Sequence, residues 1–338
     1  MGPESAGALS IDSPRALARL ITRVERGGSE AEAVMRQLGP RPLTGWTIGI
    51  TGPPGSGKST LVDRLTATAR AEGLTVGIIA VDPSSPFSGG AILGDRVRML
   101  GHSGDRGVFV RSMAARDNLG GLAPTSRDAA RLLDAYGFDV VILETVGVGQ
   151  SELDVVKVAD TVAVVAVPGL GDAVQALKAG ILEIADVFVV NMADRPGADR
   201  TVVELRTMLQ LGPARPWVPP ILQTVASEER GIGELWEALQ GHRRHLEESG
   251  ELAERRGRRV ETEVVELVER DLRRRLRGQL HRDGAVAEFV DRARRGELAP
   301  HAAAAEIIRT EFDARQVGED RDLHLGVVGD RQRPIPTT

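Results

Sequence analysis

Residues 46–59 read WTIGITGPPGSGKS: an apolar run, a glycine-rich turn that satisfies G-x-x-x-x-G-K-S, and the opening of a helical pattern over 58–71. A strand before that turn and a helix after it are the context a phosphate-binding loop requires. Across Gly52, Pro53, Pro54, Gly55, Ser56 and Gly57, the glycines permit a turn tight enough for successive N–H groups to surround phosphate oxygens. The loop opens onto the positive end of a helix dipole at Lys58, Ser59 and Thr60. Lys58 is placed to reach the β- and γ-phosphates, and Ser59 to give its hydroxyl to Mg²⁺.

Working outward, further apolar runs fall at 74–81, 107–110, 138–144, 161–167, 186–190 and 220–225. Between them the spacing predicts helices at 91–101, 125–136, 172–184, 199–210 and 232–246, besides the one at 58–71. Continuous apolar strands alternating with helices predict an α/β P-loop NTPase fold, a doubly wound and mostly parallel sheet. We assign it to residues 45–250. Residues 1–44 read as a helical extension, with Ser13 as N-cap, Pro14 at the first helical position and a second helix over 29–38 stopped by Gly39 to Pro42.

Residues 251–318 read as a helical arm on which Val260, Val264, Leu267, Val268, Leu272 and Leu276 trace one apolar stripe that needs a partner. Further helices are predicted at 284–295 and 300–314, and 319–338 reads as a disordered tail. The arginine clusters at 255–259 and 273–275 taken alone would suit nucleic acid, but Glu and Asp stand before, between and around them, as on a solvated helix face with charge pairs.

The composition narrows the classes. The chain has 338 residues, 41% hydrophobic and 27% charged, enough for a sizeable core. Its 43 Lys and Arg against 48 Asp and Glu leave a net charge of −5, which argues against a dedicated nucleic-acid binder. With no cysteine, disulfides, thiolate metal sites and a thiol nucleophile are excluded. No apolar run approaches the roughly 18 residues of a membrane span, and the N-terminus lacks a signal-peptide core, so the expected location is cytoplasmic.

Mg²⁺ takes hard oxygen ligands, so carboxylates are expected at strand ends beside the phosphate loop. Asp82 after GIIAV, Asp95 in GGAILGDRVRM and Glu144 after FDVVIL are the candidates, and Asp82 before Pro83 and Ser84 also suits a turn. In ETVGVGQ, residues 144–150, the Gly147 N–H is placed to bond a γ-phosphate, which makes the segment a switch, and Gln150 either orients water or is a surface residue.

Beyond the next strands lie NMAD, residues 191–194, and TVA, residues 224–226. A carboxylate at Asp194 accepts from both N1–H and the exocyclic amine of guanine, where adenine offers a lone pair. Asn191 is expected at purine N7, and the Ala226 N–H at O6, beside Thr224. The base is therefore expected to be guanine, and the bound nucleotides GTP and GDP.

These residues resemble the MeaB-type GTPases, the bacterial relatives of the human methylmalonic aciduria type A protein. The resemblance runs through GPPGSGKST (52–60), VDPSSPFSGGAILGDRVRM (81–99), ETVGVGQSE (144–152), PGLGDAVQALKAGI (168–181) and NMAD, and spans about residues 13–315. It implies a G-protein chaperone of an adenosylcobalamin-dependent acyl-CoA mutase, chiefly methylmalonyl-CoA mutase, that gates cofactor loading and removal. A cobalamin adenosyltransferase is a further implied partner, and the arm is implied to form a homodimer. Lys58, Asp95 and Glu144 take the catalytic positions, Ser59, Asp82, Asp95 and Glu144 those around Mg²⁺, and Gln150, Asp172 and Lys178 belong to switches.

Two departures stand out: Met192 where the family writes Lys, and Ala173 where it writes Glu. The first predicts weaker guanine nucleotide binding with specificity kept through Asp194. Other readings of the chain are a P-loop ATPase or kinase acting on a small metabolite or in transport, a nickel-delivery GTPase, disfavoured by zero Cys and six scattered His, and a dimeric scaffold with a structural nucleotide. His102 reads as a surface residue rather than a cobalamin ligand.

Overall fold

The computed structural model of the chain describes residues 11–83, 100–102, 104–115, 123–145, 151–169, 180–280 and 284–310. Seven strands form one parallel sheet: β1 (Trp46–Thr51), β2 (Val76–Pro83), β3 (Val108–Ala115), β4 (Val140–Glu144), β5 (Thr161–Ala166), β6 (Val187–Asn191) and β7 (Ile221–Thr224). Their spatial order is β3-β2-β4-β1-β5-β6-β7.

Alternate strand residues face two separate cores, which is why the runs look continuously apolar in the sequence. On one face, Ile48, Ile50, Ile78, Ile142 and Val189 pack with Leu61, Leu65, Leu235 and Leu239 from α3 (Lys58–Ala71) and α6 (Ile232–Glu248). On the other, Ile79, Leu143, Val164 and Phe188 pack with α4 (Ala123–Tyr136), α5 (Ala198–Leu211) and the amino-terminal helices α1 (Pro14–Arg26) and α2 (Gly28–Leu38). The Ser13 side chain caps α1 by accepting from Ala16 N at 3.2 Å, and Leu17, Leu20, Ile21 and Val24 form its buried stripe.

The edge strand β3 continues past its predicted end at Val110 to Ala115. Arg111 and Ser112 break the apolar run in the sequence, but the Arg111 guanidinium pairs with α1, its Nη2 donating to Glu25 Oε2 at 2.6 Å and Thr22 Oγ1 at 3.1 Å. The predicted helix at 91–101 falls largely outside the described residues, as do the first part of the one at 172–184, the end of that at 300–314, and the tail.

The chain divides into two compact units, Met1–Arg259 and Val260–Thr338. The long helix α7 (Glu251–Leu280) begins within the first, and there its arginines depart from the solvated face expected of them. Arg256 donates from Nη2 to Asp160 Oδ2 at 2.7 Å, and Arg259 bonds Oδ1 of the same carboxylate. Arg255 donates to Asp186 at 3.1 Å, whereas Arg258 is 63% exposed and pairs with Glu254. The two aspartates stand immediately before β5 and β6, so the first turns of α7, through Arg259, are fastened to the amino edge of the sheet. Burial pushes the Asp160 carboxyl up, but the two guanidinium groups outweigh it and hold the group below the usual carboxylate range.

Around this root, His242 is fully buried, with Nε2 3.2 Å from Asp186 Oδ1 and Nδ1 3.0 Å from Thr161 Oγ1. Trp46 also donates to Thr161, Trp217 donates to the Asp186 carbonyl, and Trp236 lies against Trp46 with ring centroids 5.6 Å apart. In the second unit the rest of α7 is followed by α8 (Ala285–Arg294) and a helix over 300–310. Val260, Val264, Leu267 and Val268 of the apolar stripe are 42–54% exposed. Among the described residues no helix is long and apolar enough to cross a membrane.

Candidate functional site

The loop at 52–57 leaves β1 at the carboxyl edge of the sheet, opposite the root of α7. Gly52 has φ 142° and Gly57 φ 81°, a region that side chains rarely adopt. A Cβ on Gly52 would collide with the carbonyl oxygen of Val165, and one on Gly57 would lie 2.5 Å from Asn191 Nδ2. Gly52→Ala should therefore cost more than about 2 kcal/mol and abolish nucleotide binding, checked by urea unfolding and by titration with a fluorescent guanine nucleotide.

The Lys58 ammonium is buried and donates to the carbonyls of Gly52 at 2.8 Å and Pro53 at 3.0 Å. The loop thus holds the cation in the concavity where phosphate oxygens are drawn by the N–H groups at the start of α3. Ser59 Oγ donates to Glu144 Oε1 at 2.7 Å, and both residues are buried. A hydroxyl and a carboxylate in contact at the foot of a phosphate loop suit Mg²⁺, which takes few protein oxygens and completes its shell with phosphates and water. Asp82 pairs in register with Ala114 near the end of β2, at the same edge, and its side chain lies outside the described residues. So do Asp95, Gly147, Gln150, Asp172, Ala173 and Lys178.

Asn191 ends β6 and is a brace. Its amide donates to Ser56 O at 2.8 Å, while its Oδ1 accepts from Thr224 Oγ1 at 3.0 Å and Ala226 N at 3.2 Å. Asn191 and the Ala226 N–H, the groups expected at purine N7 and O6, bond each other, and the Asn191 amide bonds the phosphate loop. Past Asn191 the chain turns sharply through Met192, at φ 57°, with Ala193 N bonded to Thr224 O at 3.0 Å. The Met192 methyl lies 3.6 Å from the Cβ position of Gly57, and the Asp194 carboxylate is exposed at the tip of the turn. The phosphate loop, the NMAD turn and the TVA turn are therefore tied together through one buried amide.

His102, read as a surface residue, has a ring only 15% exposed, with Nε2 3.3 Å from Asp63 Oδ1 on α3. Two residues that motif reading passes over are Thr51 and Thr145, buried where β1 and β4 end. Their only sequence signal is a hydroxyl at the close of an apolar run.

A family model described as "Methylmalonyl Co-A mutase-associated GTPase MeaB" matches residues 17–281. The chain belongs to the MeaB family. A Pyrococcus abyssi member is 50% identical over 299 residues, covering 87% of this chain and 92% of its own. The GTPase ArgK of Escherichia coli is 37% identical over 260 residues, covering 74% and 78%. The crystal structure of an LAO/AO transport system kinase superposes with a TM-score of 0.64 at 27% identity, covering 89% of this chain and 94% of that one. As a MeaB-family P-loop GTPase, the chain binds guanine nucleotide and hydrolyses GTP.

Proposed function

We propose that this GTPase is a nucleotide-gated chaperone of an adenosylcobalamin-dependent acyl-CoA mutase, methylmalonyl-CoA mutase first among them, and works in the cytoplasm as a homodimer. The carrying observation is the match to a mutase-associated GTPase family across residues 17–281. The exposed apolar stripe from Val260 to Val268 supports the dimer, since a row of valines and a leucine at helical spacing loses unfavourable hydration when covered by a second copy. A cobalamin adenosyltransferase is the further partner, as the source of intact cofactor.

Phosphoryl transfer to water asks little covalent work of the protein, so its residues act by position and charge. In this reading Lys58 exchanges its loop carbonyls for phosphate oxygens and neutralises charge that grows on them. Ser59 and Glu144, with Asp82 and Asp95, would hold Mg²⁺, which would supply further neutralisation at the phosphates. Asn191 keeps the loop and the base turn in register, and Asp194 reads the guanine edge. The Gly147 N–H meets the γ-phosphate, and Gln150, Asp172 and Lys178 belong to the segments that answer the mutase.

GTP hydrolysis with Mg²⁺, with and without purified methylmalonyl-CoA mutase and with ATP as control, tests the reading. Acceleration by the mutase with GTP alone is expected. Unchanged turnover with every acyl-CoA mutase tried would remove the chaperone role, and equal use of ATP would remove the role of Asp194.

Two substitutions probe the base turn. Asp194→Asn should exchange preference from GTP to xanthosine triphosphate, because a carboxamide donates to the C2 carbonyl that replaces the amine. Met192→Lys should tighten GDP binding by about 2- to 5-fold, the scale of one exposed favourable charge interaction. Competition titrations of the parent chain and each variant with the nucleotides named read both effects.

A further inference from the structure

We infer that the hydroxyl of Thr145 is a positioning group for GTP hydrolysis, acting through a buried bond to Thr51 that sets β4 against the phosphate loop. Thr51 is the last residue of β1 before Gly52, and Thr145 follows Glu144. Thr145 Oγ1 donates to Thr51 Oγ1 at 2.9 Å, and Thr145 N donates to Ile50 O at 3.0 Å. On the other flank of the loop, Ser59 donates to Glu144 Oε1 at 2.7 Å. The pair Glu144–Thr145 is thereby held from both ends of the phosphate loop, through the residue before it and a residue just after it.

Packing alone does not account for these hydroxyls. Thr51 and Thr145 are 0% and 1% exposed, so each polar oxygen gave up water to reach its place. Two valines would fill nearly the same shape, and replacing both partners of a buried bond by apolar isosteres is commonly neutral or stabilising. What the hydroxyl bond contributes, and valines cannot, is a directional constraint on the backbone that carries Glu144. Hydrolysis depends on that placement, since a misplacement of about 1 Å can cost on the order of 100-fold in rate.

The inference rests on the reading of Glu144 and Ser59 as working groups of the site, and the test separates the two. Glu144→Gln is measured alongside: if it leaves hydrolysis unchanged, the reading of the site fails. Thr145→Val should lower kcat for GTP by on the order of 10-fold or more, with GDP affinity within about 2-fold of the parent chain. Thr145→Ser should restore the rate, and Thr51→Val should reproduce the loss. The double variant Thr51→Val with Thr145→Val should unfold at or above the parent Tm while keeping the reduced kcat, with no further loss beyond either single variant. A merely structural pair would move stability and nucleotide affinity together with rate. Parent-like kcat in the double variant, or a kcat loss matched by equal losses in GDP affinity and Tm, overturns the inference whatever Glu144→Gln does.

Discussion

Lys58→Ala is expected to reduce GTP hydrolysis by on the order of 100- to 1,000-fold, the scale of removing one preorganised group that stabilises developing charge. The ammonium is buried in the curl of the loop, held by two carbonyl oxygens that only loop closure brings together. Alanine leaves those carbonyls facing incoming phosphate oxygens with no cation between them, so GTP affinity should fall as well. Stability of the nucleotide-free chain should change little or rise, because Lys58 opens α3, where the helix dipole disfavours positive charge. Rapid-quench hydrolysis and thermal melts with and without GDP measure the two halves. A dimeric scaffold with a merely structural nucleotide predicts the reverse pattern, a lower Tm with the partner response intact.

Asp160→Asn is expected to cost about 3–5 kcal/mol, the range for removing one partner of a buried ion pair. The carboxylate is 2% exposed and receives Arg256, Arg259 and the backbone N–H of Thr47. A carboxamide of the same shape keeps one acceptor and turns an amine toward a guanidinium. Two partly buried cations then lose their counter-charge, in a domain whose total stability is of order 5–15 kcal/mol. The pH dependence has a defined sign. Since the folded-state carboxyl is held below its unfolded value of about 3.9, its contribution is fully present above that pH and is lost as pH falls through the folded value. Urea midpoints of parent and variant should therefore differ by a constant amount between about pH 5 and 8 and converge in acid. A gap that widened below pH 4 would contradict the assignment.

Much of the architecture was legible because burial on both faces writes each strand as a short apolar block and leaves α3 directly after the glycine loop. Lys58, Ser59 and Glu144 were legible for a related reason: two stand in a fixed-spacing motif, and one closes a strand at the ligand edge. Asn191 was found by position, but its bond to Ser56, 135 residues away, was not, because only assembly of β6 beside the loop brings the two together. The root of α7 was unreadable in the same way. Spacing along a helix reveals i to i+4 pairs such as Arg258 with Glu254, while Arg256 meets a carboxylate 96 residues distant. Strand β3 was cut short because its charged residue pairs with α1 rather than with its neighbours in the chain.

All three tryptophans of the chain gather at the amino edge of the sheet, Trp46 and Trp236 in contact and Trp217 bonded to the carbonyl of Asp186, while the phosphate loop has none. The protein thus carries an optical gauge fixed at one pole. Intrinsic emission should follow the loosening of α7 from its aspartates and stay nearly silent when nucleotide occupies the far edge. A labelled nucleotide would supply the second channel, so events at the two poles can be timed separately in one cuvette without altering a single residue.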